Sequence, residues 1–114
     1  MKIAKSSDVA LNAVEMDGVE GVGIRWLISK DDGAENIAMR MFEVEPGGHT
    51  PFHIHPHEHE VFAVAGNGVF VCEGKEHEFG PEHVIFVPGG VEHQFKNTGD
   101  SVLRFLCIIP ASAS

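Results

Sequence analysis

Apolar positions recur along the chain in short runs, and most of these alternate with polar positions at a period of two. Successive side chains of an extended chain point to opposite faces, so the pattern predicts half-buried β-strands. The runs are IRWLIS (24–29), AMRMFEV (38–44), EVFAVA (60–65), VFVCE (69–73), EHEF (76–79), VIFVP (84–88), HQFKN (93–97) and VLRFLCII (102–109). Turn-forming residues separate them: Asp31-Asp32-Gly33, Glu45-Pro46-Gly47-Gly48, Gly66-Asn67-Gly68, Gly74-Lys75, Gly89-Gly90 and Thr98-Gly99-Asp100. A histidine-rich strand is expected after Gly48. No helix-length periodic stretch survives, and the runs are rich in Val, Ile and Phe. An antiparallel all-β sandwich or barrel is expected, as one domain over 1–114. An irregular arm over about 1–23 precedes it. There Ser6-Ser7-Asp8 can cap a short helical turn through Met16, while Gly18, Gly21 and Gly23 rule out a long helix.

Charge narrows the function. Eight Lys and Arg stand against seventeen Asp and Glu, a net charge of −9. No basic patch is available to displace counterions from phosphates, so neither nucleic acid nor an anionic membrane is an expected partner. No apolar run approaches the ~18 residues needed to span a bilayer. The first ten residues hold no apolar export segment, and a cytoplasmic location is expected. The two cysteines, Cys72 and Cys107, both sit in apolar runs and read as buried thiols rather than a disulfide framework.

Chemistry is concentrated in GGHTPFHIHPHEHEVF (47–62), which holds five of the eight histidines. Side chains two apart on a strand share a face, roughly 6.6–6.8 Å from one another along the chain. His53 and His55 can therefore aim at one point. Pro56 and His57 break the strand, and the returning segment can present His59 to the same point. Glu60 is the alternative, on the opposite face, and its apolar neighbours do not decide between the two. His93, in VPGGVEHQF, completes the set from a distant strand. His49 lies about 13 Å along the strand from His53, too far to share an ion. His57, His77 and His83 read as surface or turn residues.

These two regions resemble the paired motifs of the cupin superfamily. Gly47 precedes His53 and His55 at the family spacing, Gly66 or Gly68 closes the first motif, and Pro88, Gly90, His93 and Asn97 match the second. The motifs occupy about 47–68 and 80–97. The family's Gly before the second motif's Pro is Glu82 here. The resemblance implies a small jelly-roll β-barrel with a metal inside. PHEHEVF further resembles a branch of small single-domain cupins with four metal-binding histidines, which selects His53, His55, His59 and His93 as ligands. Small cupins of this kind are commonly dimeric. The weakly patterned arm and the IRWLI strand offer an edge that a second copy can cover, so a homodimer is expected.

Four neutral imidazoles leave a divalent ion its full charge, which favours an anionic or chelating small molecule. Mn or Fe is expected from the two coordination positions left open, with Ni, Zn or Cu as alternatives. In the last strand the charge of Arg104 assigns Phe105, Cys107 and Ile109 inward, and Phe95 shares the face of His93. Arg40 stays open: it reads either as a surface residue or as an anchor for a substrate anion. A dioxygenase-type oxidoreductase is the first functional expectation. Lewis-acid isomerase, lyase or decarboxylase chemistry is the second, and a non-catalytic metal- or ligand-binding module the third. The absence of tyrosine removes one common acid–base group from any of them.

Overall fold

Alternation becomes burial in the computed structural model, which describes residues 1–114. Nine strands form: β1 (Asn12–Ala13), β2 (Glu20–Ile28), β3 (Ile37–His49), β4 (His59–Ala65), β5 (Gly68–Cys72), β6 (Lys75–Phe79), β7 (Val84–Val87), β8 (His93–Asn97) and β9 (Leu103–Pro110). They make one antiparallel sheet in the order β6-β5-β8-β3-β9-β4-β7, with β2 on the free side of β3 and β1 on β2. The sheet curls into a jelly-roll half-barrel. Its concave face carries the core.

β9 shows how the pattern works. Leu103, Phe105, Cys107 and Ile109 are buried, while Arg104, Leu106 and Ile108 between them face outward. They lie opposite Val44, Phe42, Arg40 and Ala38 of β3, so those four residues also face inward. Phe95 of β8 stacks on Phe105 at 4.5 Å between ring centroids, and Phe42 stacks on Phe105 at 5.3 Å. The cavity floor is therefore aromatic. At the far end of β8 the Asn97 amide donates to the carbonyls of Val44 and Ser101, both at 2.8 Å, and its oxygen accepts from Gly99 N–H. Asn97 is a structural tie.

Three local expectations are corrected. β3 does not stop at Val44; it runs through Pro46-Gly47-Gly48 to His49. Gly47 takes a positive φ of 80°, and a Cβ on Gly48 would lie 2.5 Å from the Glu20 carbonyl oxygen. The bend moves β3 from its ladder with β9 to a pairing with β8 at His49, so a turn signal marks a corner within a strand. Conversely, residues 50–58 form no strand. Pro51 and Pro56 have no N–H to give a ladder, and a single bridge remains, in which the N–H groups of His53 and His93 each donate to the other's carbonyl at 3.0 Å. β2 begins at Glu20, within the expected arm, and the residues before it hold only a 3-10 turn at Ser6–Asp8 and the two-residue β1. Arg25 pins the arm by donating to the carbonyls of Ser6 and Val9, and Leu11 lies over Gly23, where a Cβ would come within 2.7 Å. No helix is long and apolar enough to cross a membrane.

Candidate metal centre

His59 opens β4 opposite Val87 and shares the buried face of Val61 and Ala63, with only 6% of its surface exposed. Glu60 is exposed on the other face, where Glu58 hydrogen-bonds it and raises its carboxyl above the usual range. His93 opens β8 opposite Cys72 and is also buried. His55 comes from the irregular segment, fixed by Gly90 N–H donating to its carbonyl at 2.8 Å. The candidate ligand nitrogens of His55, His59 and His93 all lie within 4.8 Å of one another, so these three residues can hold a metal ion.

Each ring is oriented from behind. His93 Nδ1 meets the Val91 carbonyl at 3.0 Å and His55 Nδ1 meets the His57 carbonyl at 3.2 Å. A carbonyl only accepts, so in both residues Nδ1 carries the proton and Nε2 keeps its lone pair. His59 Nδ1 lies 3.1 Å from Cys107 Sγ, and its Nε2 is buried without a hydrogen-bond partner. An orphaned buried nitrogen costs free energy in an apolar pocket and is the expected signature of a ligand atom. Burial above all, then the charge of Arg40 and the neighbouring imidazoles, pushes the His59 pKa down to about 2. Burial likewise lowers His93, against the raising effect of the Val91 carbonyl bond, and it lowers His53 and His57 with charge from His55 and Arg40 acting in the same direction. These rings are therefore neutral at pH 7, the state a metal requires. The donor set fits a borderline divalent ion.

His53 lines the same cavity but stands farther off, its ring centroid 5.9 Å from that of His55 and 6.4 Å from that of His93. His57 reaches the cavity as well, stacked on His55 at 4.1 Å, rather than standing as a surface or turn residue. Its spacing, two residues from both His55 and His59, was the available signal. The cavity has a volume of ≈ 190 Å³. Phe95, Phe105, Cys107 and Ile109 line it with Phe42 and Val22, while Val14 and Met16 of the arm add apolar wall that their weak pattern had hidden. Arg40 also faces in. Its guanidinium donates to Cys107 Sγ at 3.0 Å and lies over Phe42 and Trp26, 4.9 and 5.5 Å from the ring centroids. Burial raises the Cys107 thiol pKa against the opposing pull of Arg40.

Comparison with known proteins agrees with this fold. Residues 40–109 match the model of the cupin domain. The chain is 31% identical over 113 residues to an oxalate-binding protein of Thermotoga maritima, covering 94% of this chain and 92% of that protein. It is 36% identical over 73 residues to 1-methylthio-D-xylulose 5-phosphate methylsulfurylase of Rhodospirillum rubrum, a match spanning 64% of this chain but only about half (47%) of that enzyme. Among solved structures, the polyketide cyclase RemF of Streptomyces resistomycificus superposes with a TM-score of 0.91 at 35% identity, covering 97% of this chain and 80% of that one.

Proposed function

The chain belongs to the cupin domain family, and from that premise we propose a metal-dependent Lewis-acid catalyst for a small oxygen-chelating molecule, such as a 1,3-dicarbonyl compound. The observation that carries the reading is the convergence of three back-braced histidines on an aromatic cavity. The ion bound there would polarise the ligand's carbonyl oxygens and favour loss of an adjacent C–H proton. His55, His59 and His93 would hold it, with His53 as the fourth ligand. Phe42, Phe95 and Phe105 exclude water and give a planar ligand a flat wall. Arg40 adds positive charge beside the ligand, favouring an anion. His57, neutral and half-exposed at the cavity edge, is placed to accept a proton. The likeness to a polyketide cyclase supports carbon–carbon bond formation from such a substrate. The three relatives described above are named for cyclisation, oxalate binding and methylsulfur chemistry, so the dioxygenase expectation draws no support from them.

The test loads the protein with Mn(II), Fe(II) or Zn(II), adds acetylacetone in D₂O, and follows deuterium entry at the central carbon together with dissolved oxygen. Metal-dependent exchange without oxygen uptake, lost in His59→Ala, is expected. Oxygen uptake coupled to diketone loss would restore the dioxygenase reading. A second reading, capture of a small dicarboxylate without turnover, is favoured by the likeness to an oxalate-binding protein along nearly the whole chain. Tight oxalate binding with no exchange chemistry would select it.

We also propose a homodimer. β2 is only briefly covered by β1, and β7 is a sheet edge whose Val84 and Phe86 are 75% and 59% exposed beside Phe62. Light scattering should give twice the 12.4 kDa chain mass, and a monomer at micromolar concentration would refute the dimer.

A further inference from the structure

His59 differs from the other two converging histidines in what stands behind it. His55 and His93 have carbonyl oxygens there, which can only accept. His59 has a thiol, which can give or take a proton in a hydrogen bond. If the thiol donated to Nδ1, the ring proton would sit on Nε2 and block the position facing the other two rings. Arg40 can only donate to the sulfur, because a guanidinium has five N–H donors and no acceptor, and the thiol keeps a second lone pair with which it can accept from His59.

The geometry points to Cys107, braced by Arg40, as the positioning group that fixes the His59 tautomer and so opens Nε2 to the metal. Sγ lies 3.0 Å from an Arg40 terminal nitrogen, which must donate, and 3.1 Å from His59 Nδ1. Sulfur can accept both hydrogen bonds and retain its own proton, so no group changes charge. Arg40 is itself confined between Phe42 and Trp26, and its Nε is buried without a partner. The brace is therefore set by packing on β3 and β9, where Arg40 and Cys107 are directly opposed. The unpartnered Nε2 of His59 is the other end of the same relay. This inference rests on the metal reading for its purpose, but the tautomer exists in the metal-free protein.

The experiment uses two-bond ¹H–¹⁵N correlation spectra of the metal-free chain, and calorimetric titration with Zn(II) alone. In the unaltered protein His59 should carry its proton on Nδ1. Cys107→Ala should mix the tautomers and weaken Zn(II) binding by ~10–100-fold, the usual cost of removing a ligand's supporting partner. Cys107→Ser, whose hydroxyl oxygen can accept the same N–H, should recover most of both signals. Cys72→Ala, at the other free thiol, should change neither. A proton found on Nε2 in the unaltered protein overturns the inference, and that measurement needs no variant to fold. Unchanged Zn(II) affinity in Cys107→Ala, or a serine variant as weak as the alanine one, also overturns it. Failure of the unaltered chain to bind Zn(II) overturns the metal reading, while the tautomer judges this inference separately.

Discussion

The histidines that line the cavity come from two unlike kinds of backbone. His59 and His93 sit in ladders, paired with Val87 and Cys72, and are buried. His53, His55 and His57 sit on the proline-interrupted segment, half-buried and tied by the His53–His93 bridge and the Gly90–His55 bond. A ladder residue can move only if its neighbours move, whereas a loop residue can adjust to an ion or a ligand at small cost. The difference teaches that the ladder pair would set where an ion sits, and the loop residues would close around it.

The largest expected effect tests the ladder side. His59→Ala or His93→Ala should cost more metal affinity than the ~10–100-fold typical of losing a supporting partner, measured by calorimetry. His53→Ala should cost less than either. Equal losses at all three positions would dissolve the distinction between ladder and loop.

Next comes the joint between the two regions. A Cβ on Gly89 would collide with the Pro56 carbonyl oxygen, a backbone atom that cannot rotate away. Gly89→Ala should destabilise the fold by about 1–3 kcal/mol in denaturant melts and displace His55. Unchanged stability would mean that the segment is not packed as described.

pH separates the regions in a third way. The His59 pKa falls from 6.5 to about 2 on folding. A depressed histidine leaves stability intact above its unfolded pKa; below it the unfolded chain takes up the proton first, so stability is lost as pH falls from 6.5 toward 2. Melting temperature of the metal-free protein should decline across that window, less so in His59→Ala. Metal occupancy should fall with acid too, since protons compete for each ring nitrogen, but below pH 6.5 because His53 and His93 are also lowered. Occupancy unchanged down to pH 4 would contradict a histidine site.

The smallest effects lie outside the donor cluster. Glu60→Gln, on the exposed face, should leave metal affinity unchanged, and His57→Ala should alter deuterium exchange more than affinity.

Much of this was legible in the sequence because burial follows parity. HQFKN is β8 to the residue, and the single charge of Arg104 oriented β9 correctly. Arg40 was not legible, because its run carries one charge on each face. The deciding contacts are long-range: Glu43 faces out to pair with Arg25 at 2.7 Å and Arg104 at 3.7 Å, while Arg40 finds Cys107 and two aromatic rings inside. The β3 corner was missed because Pro-Gly-Gly signals a break in direction without saying whether pairing resumes. The reach of His57 was missed because a residue after proline looks like a turn.

X-ray absorption at the metal edge of the Zn(II)-loaded protein tests the central claim most directly. The account predicts an imidazole shell at about 2.0–2.1 Å and no sulfur, because Cys107 stands behind His59 rather than on the ion. A sulfur scatterer at about 2.3 Å, or a shell of oxygens without imidazole, would contradict it.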